Sequence, residues 1–531
     1  MRSPNYKAGI PSLLDITIDD IVLGLDQKLF SCADLVEAYI TRTSEVNDDL
    51  RPVLQINPDA LLIAKSLDAE LQSGHRRGPL HGVPILLKDN IGTHDQLDGS
   101  AGSLALSGAK APRESLAVQK LRAAGAVILG KSNMSEWANM RSSNVSDGWS
   151  PRGGQTKGIY CVDQNPKGSS TGSAVAAALG LSLGALGSET DGSLVCPAEK
   201  NNVVAIKPTV GLVSRDGVIP LSLRQDTLGP MTRTVKDAAY LLSTIAGPDA
   251  HDKFTDKIPS GSIPDYTSSC TTTSLAGLRV GIPRNAFQVS SVVEDTFTMS
   301  LKRLQEAGAT VIDNTDYVDL DGYINLDPWL QDVVIMTDFK ESLNRYLQDL
   351  VENPNNIENL EQLITYTKSS PGEEFPKFDT AEFETAQTTN GTSDPSYIKA
   401  LALEAHHFGE GGILGALEKW NLDALLVPTC AKLALRLAAI GGLPIVSLPL
   451  GFYPDGTDIK WNARKNMINI GPNIPFCLTI FGKPFSEATL IRIAYAHEQL
   501  NKDKRKRYPV KLPTTELVDI VKRRSESASS L

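Results

Sequence analysis

Gly82-Val83-Pro84-Ile85-Leu86-Leu87-Lys88-Asp89-Asn90 is a short apolar run opened by Gly and Pro and closed by three polar residues. It is too short for a helical stripe and reads as a buried strand. Outward from it a rhythm repeats. Residues 116–123 read as a helix and Ala126-Val127-Ile128-Leu129-Gly130 as the next strand. Residues 174–181 and 292–307 are further helices. Short apolar runs follow at 183–186, 203–206, 278–283, 309–312 and 443–449, with another ending in Val218-Ile219-Pro220. Alternating helices and strands predict an α/β fold, a sheet covered by helices. Residues 15–75 add an N-terminal helical segment with starts near Thr17 and Ser31 and a third helix over 59–72. Residues 330–425 read as mainly helical, and 486–500 as the last clear helix.

The chain has 531 residues, 41% of them hydrophobic and 21% charged, which is globular composition. Its formal net charge of −10 argues against a nucleic-acid partner. The apolar stretches 174–187 and 437–452 are too short or too broken to span a bilayer, and the first residues lack the apolar core of a secretory signal. Six cysteines (Cys32, Cys161, Cys196, Cys270, Cys430, Cys477) stand far apart, without a disulfide or zinc pattern, which suits a reducing compartment. Cytoplasm is the expected location. The basic run 502–507 reads as a solvated face, and the final Ser529-Ser530-Leu531 is only a faint peroxisomal tripeptide. His406-His407 is the one close histidine pair. Adjacent helical residues do not face one ligand, so no metal and no cofactor are expected. Residues 250–275 read as an exposed loop and the chain beyond Asn501 as loosely held.

Residues 140–173 are rich in Ser, Gly, Asn and Asp, a length of loop that usually serves a function. They end in Gly168-Ser169-Ser170-Thr171-Gly172-Ser173. Twenty residues on comes Ser188-Glu189-Thr190-Asp191-Gly192-Ser193. Taken alone the first segment is a flexible turn or a G-x-S-x-G nucleophile elbow centred on Ser170. The Gly-Lys-Ser/Thr ending of a phosphate loop is missing.

Taken together, residues 82–240 resemble the amidase signature family. The matching blocks are 82–90, Gly130-Lys131-Ser132-Asn133-Met134-Ser135-Glu136-Trp137-Ala138-Asn139, 168–174, and Glu189-Thr190-Asp191-Gly192-Ser193 with Cys196-Pro197. Ile206-Lys207-Pro208-Thr209-Val210-Gly211-Leu212-Val213-Ser214-Arg215 and Gln225-Asp226-Thr227-Leu228-Gly229-Pro230-Met231 complete them. The Glu-Thr-Asp-Gly-Ser and Ser-Glu-Trp-Ala-Asn variants look most like the peptide-amidase and fungal-type branch. The resemblance implies a large mixed central sheet with helices on both faces, forming one domain over 1–510 with a tail at 511–531. It also implies an amidohydrolase acting on a small-molecule or peptide amide as a monomer or homodimer. Ser193 becomes the nucleophile, Ser169, preceded by a cis peptide bond, the relay, and Lys88 the base. The backbone of Thr190, Asp191 and Gly192 forms the oxyanion hole. Trp137, Gly168 and Lys167 become candidate substrate contacts.

The chemistry also stands on its own terms. An amide carbonyl is a poor electrophile, so the attacking hydroxyl needs a base within reach. A lysine serves only when burial or cationic neighbours lower its pKa from about 10.4. By itself, a strand-closing lysine is usually solvated, and Ser193 is a turn residue. Asp191 stands where many relatives carry glycine, and its carboxylate would oppose a developing oxyanion unless it points away or is hydrogen-bonded. Lys131 and Lys207 read as structural strand ends with surface or loop hydrogen bonds. Arg215 and Asp226 suggest a buried pair, and Trp137 and Trp149 either pocket walls or core. Relatives have a longer segment between Pro428-Thr429 and Ala438, so a shortened pocket wall is expected. Three alternatives to an active amidase remain: a catalytically impaired binding protein, an ammonia-releasing component of an amidotransferase, and an esterase using Ser170 with a distant Asp and His.

Overall fold

A computed structural model describes residues 9–259, 263–501 and 507–529. Most of the basic run, residues 502–506, lies outside the described residues, as do Ser530 and Leu531. Eleven strands form one sheet: β1 (Val53–Ile56), β2 (Pro84–Lys88), β3 (Val127–Ser132), β4 (Gly184–Glu189), β5 (Val204–Lys207), β6 (Thr227–Thr232), β7 (Arg279–Ile282), β8 (Thr310–Asp313), β9 (Ala424–Pro428), β10 (Ile445–Phe452) and β11 (Pro475–Phe481). Their spatial order is β1-β3-β2-β4-β6-β5-β10-β11-β9-β7-β8. β3-β2-β4 and β9-β7-β8 run parallel, while the strands between β4 and β9 pair antiparallel, so the sheet is mixed. Every residue of β2, β3, β4 and β6 is buried, as expected for strands covered on both faces.

The N-terminal helices start where the sequence signals them. Thr17 and Ser31 each close a capping box, with Asp20 and Asp34 at the third helical position. Helix Leu116–Ala123 matches its periodicity.

Other expectations are corrected. β6 has no strand signature because it contains Gly229 and Pro230. A Cβ at Gly229 would fall 1.9 Å from the Ile206 carbonyl oxygen, so close strand approach requires the glycine. The run ending at Pro220 forms no sheet strand, only an isolated bridge between Val218 and Ile91. Helix Thr171–Leu179 begins before residue 174. Within 250–275, Tyr266 and Cys270 are buried in a short turn packed on helices Val235–Ile245 and Glu487–Leu500. The C-terminal segment is also docked. Helix Leu517–Ser529 lies against helix Cys32–Leu50 with Leu517, Val518 and Ile520 buried, and Glu516 accepts from Ser12 Oγ and Leu13 N, both at 2.8 Å. Among the described residues no helix is long and apolar enough to cross a membrane.

Candidate active site

Lys88 is the last residue of β2, and its side chain is fully buried. Its Nζ donates to Ser169 Oγ at 2.6 Å and to the Ser188 carbonyl at 3.0 Å. Burial pulls its pKa down to about 7, against the opposing pull of the Glu189 and Asp226 carboxylates. The cost of desolvating an ammonium wins because neither carboxylate pairs with it directly. The parallel register that sets β2 beside β4 brings Lys88, early in the chain, to the Ser188 carbonyl.

Ser169 sits in the turn before helix Thr171–Leu179, and the Gly168–Ser169 peptide is cis. A Cβ on Gly168 would fall 2.2 Å from Ser135 Oγ, so only glycine fits this crossing. Ser135 holds the turn from the other side, its N–H donating to the Ser169 carbonyl at 3.1 Å while its Oγ accepts from Gly148 N at 2.8 Å. Ser170, the residue of the elbow reading, is fully buried. Its hydroxyl donates to the Ser188 carbonyl at 3.0 Å and accepts from Ser188 N at 3.3 Å.

The third segment follows β4. The buried Glu189 carboxylate accepts from Leu194 N at 2.6 Å and Val195 N at 3.0 Å, which curls residues 190–193 into a tight loop. Gly192 has a φ of 77°, in the left-handed region that suits glycine. Ser193 closes the loop with 7% of its surface exposed, and its carbonyl accepts from Ser170 N at 3.1 Å, so this loop and the Ser169 turn abut. Thr190 is tied back by its hydroxyl, which donates to Asp226 Oδ1 at 2.6 Å. The buried Asp226 carboxyl also accepts from Leu221 N and Ser222 N, and burial raises its pKa to about 6.

Asp191 turns outward to Arg436, with Nη1 to Oδ2 at 3.2 Å. Arg436 lies in helix Lys432–Ile440, inside the segment expected to be shortened, and also donates from Nε to the Tyr323 hydroxyl at 3.2 Å and from Nη2 to the Gln331 carbonyl at 2.5 Å. Sequence reasoning missed this residue. The only signal was that it is one of two cations, with Lys432, in a segment already marked as unusual.

The other singled-out residues occupy plainer positions. Trp137 is fully buried, with its ring edge-on to Phe383 at 5.9 Å, and Trp149 packs on Phe378 at 4.0 Å. Lys167 faces Asp147 at 3.5 Å and is about one-third exposed. Arg215 pairs with Asp252, and it reaches Asp226 only through the backbone carbonyl, at 3.0 Å. Lys131 and Lys207 are fully buried, donating to the Ile91 and Leu443 carbonyls; burial lowers both to a pKa of about 8. They are structural strand residues in the interior, away from the surface.

The Amidase family model matches residues 34–491. This chain belongs to the amidase family. A protein of Arthroderma benhamiae named as an amidase is 42% identical over 515 residues, spanning 92% of this chain and 86% of the relative. The native peptide amidase from Stenotrophomonas maltophilia is 36% identical and superposes with a TM-score of 0.82 over 94% of this chain and 99% of that one. A protein of Schizosaccharomyces pombe, also named as an amidase, is 37% identical over 529 residues, spanning 94% of this chain and 87% of the relative. The protein is thus an amidase that hydrolyses amide C–N bonds, on the α/β fold of its family.

Proposed function

We propose that this amidase works through Ser193 as nucleophile, Ser169 as proton relay and Lys88 as base, on small carboxamides or peptide C-terminal amides. The contact from Lys88 Nζ to Ser169 Oγ, in a buried pocket that lowers the amine to a pKa of about 7, carries the reading. With the amine neutral, Ser169 gives its proton to Lys88 and takes the proton of Ser193. Ser193 Oγ then forms a bond to the substrate carbonyl carbon. The carbonyl oxygen gains the negative charge, which the backbone N–H groups of Thr190, Asp191 and Gly192 would receive. Collapse breaks the C–N bond, and the proton held on Lys88 returns through Ser169 to the leaving nitrogen. Water repeats the sequence on the acyl-enzyme and releases the carboxylate. Asp191 does not oppose the anion, because its carboxylate is engaged by Arg436 outside the loop.

Likeness to the peptide amidase favours a substrate whose acyl part is a peptide. The test is covalent labelling with a fluorophosphonate followed by peptide mapping, alongside ammonia release from N-blocked dipeptide amides. Label on Ser193, lost in Ser193→Ala, is the expected result. Label on Ser170, or turnover that survives Ser193→Ala, refutes the assignment.

A further inference from the structure

Far along the chain from Lys88, Ser169 and Ser193, two segments converge on a group with ligand chemistry. Asp319 stands at the start of helix Leu320–Ile324, and His406 and His407 lie in the last turn of helix Pro395–Phe408. One potential ligand atom from each of the three lies within 4.8 Å of the other two, the one such group among the described residues. His406 Nε2 is 2.9 Å and His407 Nδ1 3.7 Å from the same oxygen, Asp319 Oδ2. Four-coordinate zinc, bound at about 2.0–2.1 Å, spaces its ligand atoms about 3.3 Å apart. The two measured separations bracket that value.

The partners around the group point the same way. His406 Nδ1 lies 3.0 Å from Glu410 Oε1. His407 Nδ1 is buried, on a residue only 3% exposed, with no hydrogen-bond partner. A cation held between Asp319 Oδ2, His406 Nε2 and His407 Nδ1 would give that orphaned nitrogen a partner. The Glu410–His406 contact is then the carboxylate behind a metal-bound imidazole that orients the ring. Gly411 leaves the approach open, since a Cβ there would fall 3.0 Å from His406 Nε2 and 3.2 Å from Asp319 Cβ. His406 and Asp319 are partly exposed, which gives an ion a way in.

We propose that Asp319 Oδ2, His406 Nε2 and His407 Nδ1 bind one divalent transition-metal ion of zinc type, with water as the fourth ligand. In this proposal the adjacent helical histidines meet one ion because Asp319, from a separate segment, approaches both rings. The site abuts the active-site wall, for the Tyr323 ring packs on His407 at 5.4 Å and its hydroxyl accepts from Arg436.

The experiment is a calorimetric titration of chelator-treated protein with zinc, with cobalt(II) as spectroscopic substitute. One ion per chain and the visible bands of four-coordinate cobalt without thiolate charge transfer are expected. His406→Ala and Asp319→Asn should weaken binding at least about tenfold, and Glu410→Gln, whose side chain is 85% exposed and whose loss threatens no folding, by about tenfold. Zinc should raise the melting temperature of the parent but not of His406→Ala. Absence of saturable binding, a thiolate–cobalt band, or affinity unchanged in Glu410→Gln and Asp319→Asn overturns the proposal.

Discussion

The floor and the wall of the active site are built differently. The floor comprises β2, β4, the Ser169 turn and the loop to Ser193. Lys88, Ser169, Ser170, Glu189, Thr190 and Ser193 are all buried in it, and its polar groups are held by short hydrogen bonds. The wall comprises the helices between 320 and 440. It meets the floor through long side chains, above all Arg436, which joins Asp191, Tyr323 and Gln331. A buried floor can lower the pKa of a lysine because water is excluded. A wall tied through long, partly buried charged side chains can vary without disturbing that chemistry.

The largest effect should come from the floor. Ser193→Ala is expected to lower kcat by on the order of 10⁶ while leaving the melting temperature nearly unchanged, measured by ammonia release and calorimetry. Lys88→Met should cost about 10²–10⁴-fold, the range for losing a general base. In the parent, the proposed base role of Lys88 predicts that log kcat/KM rises with pH up to about 7 and flattens above, because that role needs the neutral amine and burial pulls its pKa down to about 7. A profile still climbing through pH 9 would mean that Lys88 is solvated. Gly168→Ala forces a Cβ to within 2.2 Å of Ser135 Oγ and should destabilise the fold by about 1–3 kcal/mol, read by denaturant unfolding.

The wall should respond more weakly. Arg436→Gln frees the Asp191 carboxylate beside the oxyanion loop and should lower kcat/KM about tenfold, about 1.4 kcal/mol, mostly in kcat. An equal loss in Asp191→Asn would show that the pairing, rather than the free carboxylate, is what matters. Lys167→Gln, beside the Ser169 turn rather than in the wall, breaks a part-exposed 3.5 Å pair with Asp147 and should change stability by no more than about 1 kcal/mol, read by denaturant unfolding.

The α/β class, the capped N-terminal helices and the three segments that meet at the floor are legible in the order of residues alone. Apolar runs, capping boxes and Gly/Ser turns are local signals carried by neighbouring residues, and the order of the motifs carried the family. The same reading does not reveal β6, whose Gly229-Pro230 core reads as a turn, or the docked C-terminal helix, whose buried face is a few residues amid many charges. Folding in three dimensions was needed to establish that Lys88 is desolvated, that Asp226 serves Thr190 while Arg215 serves Asp252, and that Arg436 takes up Asp191 across 245 residues. Desolvation and ion pairing depend on what packs around a group, and the packing partners come from distant stretches of chain that no local pattern connects.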